Sequence, residues 1–94
     1  MKIAGLRILQ EFMRRHTDSE GPLKTWIALV RKEHWLKNTD IREMLGSASF
    51  MGDGRVVFNI KGNRYRLDVK VSYKAQVVKV IRVGTHAEYD KWKF

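Results

Sequence analysis

Ninety-four residues carry 19 Lys+Arg against 10 Asp+Glu, a formal charge of +9, with 44% hydrophobic residues, one proline and no cysteine. A chain of this length buries roughly two-thirds of the surface its unfolded form exposes, so residues 1–94 read as one compact basic domain with a modest core, and a second domain is excluded. The missing cysteines exclude a disulfide scaffold, Cys-ligated zinc and thiol chemistry, and no apolar run approaches the ~18 residues of a membrane span or the apolar region of a signal peptide, so a reducing cytoplasm is the expected location.

In chain order, Leu6, Leu9, Phe12, Met13 and His16 recur three or four apart, the spacing of one helical face, and Leu23, Trp26, Ile27, Val30 and Trp35 repeat that pattern. Both sets predict amphipathic helices, with Trp26 and Trp35 in the core. Between them lies Thr17-Asp18-Ser19-Glu20-Gly21-Pro22, which combines capping residues with a proline tolerated only in a first helical turn. A further helical turn is expected from Asp40, capped by its own carboxylate while Glu43 reaches back.

Near residue 50 the period changes to two. Ser49-Phe50-Met51 and Gly52-Asp53-Gly54 read as a short strand and turn, followed by a strand with Val56, Phe58 and Ile60 on one face. Lys61-Gly62-Asn63 then supplies residue types that accept positive φ, which predicts a hairpin into the strand of Tyr65, Leu67, Val69, Val71 and Tyr73. The segment from Gln76 to Val83 has Val77, Val78, Val80, Ile81 and Val83 on both faces and reads as the central strand. A closing helical segment spans Ala87 to Lys93. The expected fold class is α+β: N-terminal helices packed on a small, mainly antiparallel, twisted sheet, with a short C-terminal helix.

The charge has a location as well as a size. Residues 1–45 hold nine basic and six acidic side chains (+3), whereas 46–94 hold ten and four (+6). An excess of this kind favours a polyanionic partner, with nucleic acid, anionic membrane or an acidic protein all consistent with it. On the hairpin, the period of two collects Arg55, Asn59, Lys61, Arg64, Arg66 and Lys70 on the face opposite the apolar residues, a surface suited to phosphate, with Asp68 as a lone carboxylate that can pair with an arginine and position it. His86 follows a strand directly, and Thr85-His86-Ala87-Glu88-Tyr89-Asp90-Lys91 places an imidazole, a phenol and a carboxylate on one side of a helical turn, where proton transfer at a phosphoryl group is feasible. No residue spacing suggests a metal site, Ser47 and Ser49 lack triad partners, and Trp92 and Phe94 are available to stack on a base or dock a partner.

Two segments, Val57-Phe58-Asn59-Ile60-Lys61-Gly62-Asn63-Arg64-Tyr65-Arg66-Leu67 and Val83-Gly84-Thr85-His86-Ala87-Glu88-Tyr89-Asp90-Lys91, resemble the HigB family of RelE-type toxins. The resemblance extends through Leu23-Lys24-Thr25-Trp26, Asp40-Ile41-Arg42 and Ser47-Ala48-Ser49. It implies an endoribonuclease, an mRNA interferase of a type II toxin–antitoxin system, that cuts messenger RNA in the ribosomal A site by metal-free attack of the 2′-hydroxyl and needs no cofactor. It also implies a helix-turn-helix antitoxin (HigA-like) as partner. Carried over residue by residue, Arg66 neutralises phosphate charge, His86 serves as acid or base, and Lys61 and Tyr89 complete the catalytic set, while Asn59, Arg64, Arg55, Lys70 and Lys91 hold the RNA. RelE itself has lysines at the positions of Val57 and Asn59 and an arginine at that of His86, so Lys61 would stand in for the missing strand lysines. The alternative reading is a non-catalytic RNA- or ribosome-binding module, or a face built to dock the antitoxin.

Overall fold

A computed structural model describes residues 1–94. The chain runs β1 (Lys2–Ala4), α1 (Leu6–Arg15), a 3₁₀ turn (Thr17–Ser19), α2 (Glu20–Lys32), α3 (Asn38–Met44), β2 (Ser49–Gly52), β3 (Arg55–Ile60), β4 (Tyr65–Ser72), β5 (Val77–Thr85) and α4 (His86–Tyr89). The five strands form one sheet in the order β1-β5-β4-β3-β2, antiparallel except where β1 runs parallel to β5. This is the α+β architecture that the change of period predicts.

The helices cover one face of the sheet. Leu9 and Phe12 of α1 and Leu23, Trp26 and Val30 of α2 meet Phe58, Tyr65, Leu67, Val69, Val78 and Val80, all buried. Edge-to-face pairs fix the seams, Trp26 on Phe58 at 5.5 Å and Phe12 on Tyr65 at 5.2 Å between ring centroids. Pro22 sits in the first turn of α2, where its missing N–H has no intrahelical acceptor to lose.

Three local expectations are corrected, and one element is added. The segment Lys2–Ala4 is a strand that its three residues were too few to reveal by alternation, and Gly5 (φ 86°) turns the chain from β1 into α1 where a Cβ would stand 2.9 Å from the Val80 carbonyl. Helix α2 ends at Lys32, so Trp35 reaches the core from the following loop. Helix α3 starts at Asn38, and the Asp40 carboxylate accepts from the Leu36 and Lys37 N–H groups, so Asp40 is the residue that reaches back and does not itself cap. The C-terminal helix is a single turn, His86–Tyr89, closed by a reciprocal pair in which Glu88 N–H donates to Thr85 Oγ1 and Thr85 N–H to Glu88 Oε1.

The central strand is β4, buried along most of its length, and not β5. The double-faced apolar run of β5 has another cause: the β4–β5 register shifts between Asp68, opposite Arg82, and Val69, opposite Val80, which leaves Ile81 as an extra residue and reverses the alternation beyond it. The bulge puts Arg82 on the face away from the helices, beside Asp68. In the hairpin turn the positive φ angles fall on Lys61 and Gly62, leaving Asn63 free for a different task.

Candidate active site

The sheet face away from the helices holds Arg55, Val57 and Asn59 of β3, Arg66, Asp68 and Lys70 of β4, and Arg82 and Gly84 of β5, as the cross-strand register dictates. It is not an open cationic surface. The chain after α4 folds back across it, so that Val57 is buried although it points away from the main core. Trp92 stacks on the Arg82 guanidinium at 4.4 Å, and Phe94 lies 5.1 Å from that of Arg55 and 5.2 Å from that of Arg82. Gly84 makes this roof possible: a Cβ there would stand 2.9 Å from Trp92 Cζ2 and 3.2 Å from Glu88 Cβ. Gly84→Ala is therefore expected to cost about 1–3 kcal/mol, the usual effect of overpacking, with a red shift of tryptophan emission as Trp92 is displaced; an unshifted spectrum and unchanged urea midpoint would show that the roof does not depend on this contact.

Beneath the roof lies a charge triad. Asp68, fully buried, accepts from Arg55 Nε (3.0 Å) and Nη2 and from Arg82 Nε at 2.8 Å. Arg82 also donates to the Lys93 carbonyl at 3.3 Å, which ties the C-terminal segment to the triad. The carboxylate in the cationic strand thus positions two arginines, Arg55 and Arg82, and neither is Arg64 or Arg66. Arg55 is accordingly committed to holding the sheet together. Asp68 in turn pushes the Arg55 guanidinium pKa up by its hydrogen bond.

Arg66 behaves differently. It is nine-tenths buried yet enters no ion pair, and its one protein hydrogen bond runs from Nη1 to the Asn63 carbonyl at 3.0 Å. Its guanidinium lies 5.1 Å from the centroid of the Tyr89 ring. Asn63 is itself braced by Asn59, whose Nδ2 donates to Asn63 Oδ1 at 3.1 Å. Asn59, opposite Arg66 in the register, therefore supports the hairpin turn that orients the arginine. On the other side Arg66 pairs with Gly84, two residues before His86. His86 stands at the start of α4, its Nδ1 3.4 Å from Asp90 Oδ2 and its ring 6.4 Å from that of Tyr89. Its N–H donates to the Arg64 carbonyl at 3.1 Å, which pins the head of α4 to the hairpin. An unneutralised guanidinium, a phenol and an imidazole thus share one end of the sheet. The Glu88 carboxyl, which reaches back to the capping residue Thr85, is held below its usual range, chiefly by the Thr85 N–H.

The loop cations gather around a residue that sequence reasoning placed only among helix caps. Asp18, in the 3₁₀ turn, accepts from Tyr65 Oη at 2.5 Å and from Lys61 Nζ at 3.1 Å, with Arg64 Nη1 3.3 Å from the same oxygen as Lys61. The Tyr65 phenol, then Lys61, holds the Asp18 carboxyl below the usual carboxylate range, and the same bond raises the phenol. Asp18 is therefore anionic at neutral pH. Lys91 is exposed beside the turn that follows α4. Lys70 is not brought to the site: it lies four residues along β4 from Arg66, about 13 Å at ~3.3 Å per residue, opposite Arg55 and Lys79. Arg82 and Asp18 are the participants that sequence reasoning missed; Arg82 was concealed by the bulge, and Asp18 meets Lys61 across 43 positions of chain.

No curated protein matches the chain. A family model for HigB_toxin, described as the RelE-like toxic component of a toxin-antitoxin system, matches residues 19–92. That stretch holds α2, α3, four of the five strands, the Asn63-supported Arg66 and the His86–Tyr89 turn, and with well over half its length so matched the chain belongs to the HigB family of RelE-like toxins, the toxic partners of antitoxins.

Proposed function

We propose that the chain is an mRNA interferase, an endoribonuclease that cuts messenger RNA in the ribosomal A site and is held inactive by a cognate helix-turn-helix antitoxin. The observation that carries this reading is Arg66: a residue nine-tenths buried whose guanidinium has one backbone partner, no counter-ion, and uncommitted donors that are open to solvent. A cation whose stem is packed in place and whose free donors face outward is set to receive an anion, and family membership makes RNA phosphate the fitting one.

The reaction needs little more. The 2′-hydroxyl of one nucleotide loses its proton and attacks the adjacent phosphorus; the P–O5′ bond breaks, the 5′-oxygen takes a proton, and the products are a 2′,3′-cyclic phosphate and a 5′-hydroxyl. Arg66 meets the charge that builds on the non-bridging oxygens, in a site walled by the Tyr89 ring and the strands. His86 moves a proton on the 2′- or 5′-oxygen, with Asp90 Oδ2 3.4 Å from its Nδ1 to orient the ring. Tyr89 holds the Arg66 plane and offers its phenol to the same phosphate. Arg64 and Lys61, more exposed at the hairpin tip, take the flanking backbone, and Lys91 extends that track. A groove of about 390 Å³ beside Lys61 and Asn59, lined in part by Trp26 and Leu29, leaves room for a neighbouring nucleotide.

Expression in cells is expected to arrest growth and to generate new 5′-hydroxyl ends within translated messages, mapped by ligation-based sequencing. His86→Gln, a substitution on the exposed side of α4, is expected to reduce cleavage by about 10²–10⁴-fold, the range for loss of a general acid or base, while leaving ribosome association intact. Ribosome retention without new ends in the wild type would favour a non-catalytic binding module instead.

A further inference from the structure

Asp18 is surrounded as a phosphate would be. One carboxylate oxygen lies between two cations, Lys61 Nζ at 3.1 Å and Arg64 Nη1 at 3.3 Å, and the other receives the Tyr65 hydroxyl at 2.5 Å. Two cations and one O–H donor aimed at a pair of oxygens that share one negative charge is also the coordination suited to the two non-bridging oxygens of a phosphodiester. The cluster stands at the hairpin tip, whose Arg64 carbonyl accepts the His86 N–H, so it adjoins the candidate site without including Arg66.

We propose that Lys61, Arg64 and the Tyr65 hydroxyl form a second phosphate subsite, that the Asp18 carboxylate occupies it in the free protein, and that an RNA backbone phosphate flanking the cleaved bond displaces it. The inference rests on the endoribonuclease reading for the identity of its ligand.

The energetics permit the exchange. Lys61 and Arg64 side chains are about half exposed (42% and 63%), and solvent-exposed ion pairs of that kind are weak, so they break readily when a better-shaped anion arrives. A phosphodiester carries the same single negative charge as the carboxylate it replaces between the two cations. Asp18 is on a short surface turn with its side chain one-third exposed, so the displaced carboxylate has water to turn into. A single phosphate from solvent lacks the other contacts of a strand, whereas an RNA already engaged at Arg66 presents its next phosphate at high effective concentration. Asp18 therefore acts as a weak internal competitor that discriminates against isolated anions and in favour of a strand long enough to span both subsites.

The test is the binding of an uncleavable, 2′-O-methylated single-stranded RNA to the full chain, by fluorescence anisotropy over a range of salt. Asp18→Asn removes the charge but keeps an oxygen for the Tyr65 hydroxyl. It is expected to tighten binding roughly 3- to 10-fold, the equivalent of the two weak ion pairs, because the phosphate no longer has a carboxylate to displace. Adding Lys61→Ala and Arg64→Ala to Asp18→Asn is expected to abolish this gain and to lower the salt dependence, about 0.7 per lost contact on a single strand. Unchanged or weaker binding by a folded Asp18→Asn protein overturns the subsite while leaving the endoribonuclease reading intact; failure of the wild type to bind any RNA also overturns the subsite, and the endoribonuclease reading is then decided by the new 5′ ends in cells. Should the variant not fold, the ¹³C signal of the wild-type Asp18 carboxylate decides: it is expected to move toward that of a free carboxylate as the RNA is added, and an unmoved signal in the bound state overturns the proposal.

Discussion

Arg66→Gln is expected to lower RNA cleavage by about 10²–10³-fold, the equivalent of ~2.7–4 kcal/mol of transition-state stabilisation, because a preorganised donor aimed at developing negative charge is removed. The guanidinium needs no reorganisation to meet that charge: the Asn63 carbonyl and the Tyr89 ring already fix its plane. Glutamine preserves much of the side-chain volume and can still donate toward the Asn63 carbonyl, so the fold is expected to survive, as circular dichroism would verify. Arg64→Gln is the informative comparison. Its side chain is 63% exposed and already shares Asp18, so its loss is expected to weaken RNA binding by about tenfold or less and to reduce the salt dependence by ~0.7, with turnover of bound RNA preserved. Equal losses of turnover in the two variants would mean that the two arginines do not have separate roles.

The second large effect concerns stability. Replacing both Arg55 and Arg82 by methionine strands Asp68, which is fully buried, without a cation and without its three side-chain hydrogen bonds. Removing the partners of a buried charge typically costs about 3–5 kcal/mol, a large share of the ~5–15 kcal/mol that holds a small domain together. With an m-value of ~1–3 kcal/mol/M, the urea midpoint is expected to fall by 1 M or more. Adding Asp68→Leu to the double variant is expected to recover most of the loss, since an apolar set of similar volume fills the space without a charge to desolvate. A double variant that loses less than about 1 kcal/mol would show that water reaches the triad and that the Trp92–Phe94 roof does not seal it. Because the same arginines carry the roof, the double variant is also expected to loosen α4 and with it His86 and Tyr89.

The triad and Arg66 illustrate two uses of arginine on one strand face. Arg55 and Arg82 are neutralised by Asp68 and covered by aromatic rings, whereas Arg66, one position along the same face from Asp68, is left without a carboxylate. From composition alone all three count equally toward the charge of +9. Only the first two are spent on the fold.

Much of this molecule was legible in the sequence because the relevant signals are local. Helix and strand periods separate near residue 50, and the glycines mark the turns. The alternation of β4 places Arg66, Asp68 and Lys70 on one face, and the HigB-like motif pair identifies the family that residues 19–92 match. What the tertiary structure alone decided depends on residues far apart in the chain. The bulge at Ile81 is invisible to a period of two, yet it turns Arg82 toward Asp68. Asp18 finds Lys61 and Tyr65 across 43 and 47 positions, and Trp92 finds Arg82 only because Gly84 leaves it room. Sequence determines which faces are apolar and which are charged, since that follows from neighbours a few residues away; which charges neutralise one another and which one remains for a ligand follows from the packing of distant segments, and so only the folded chain separates Arg66 from the other cations.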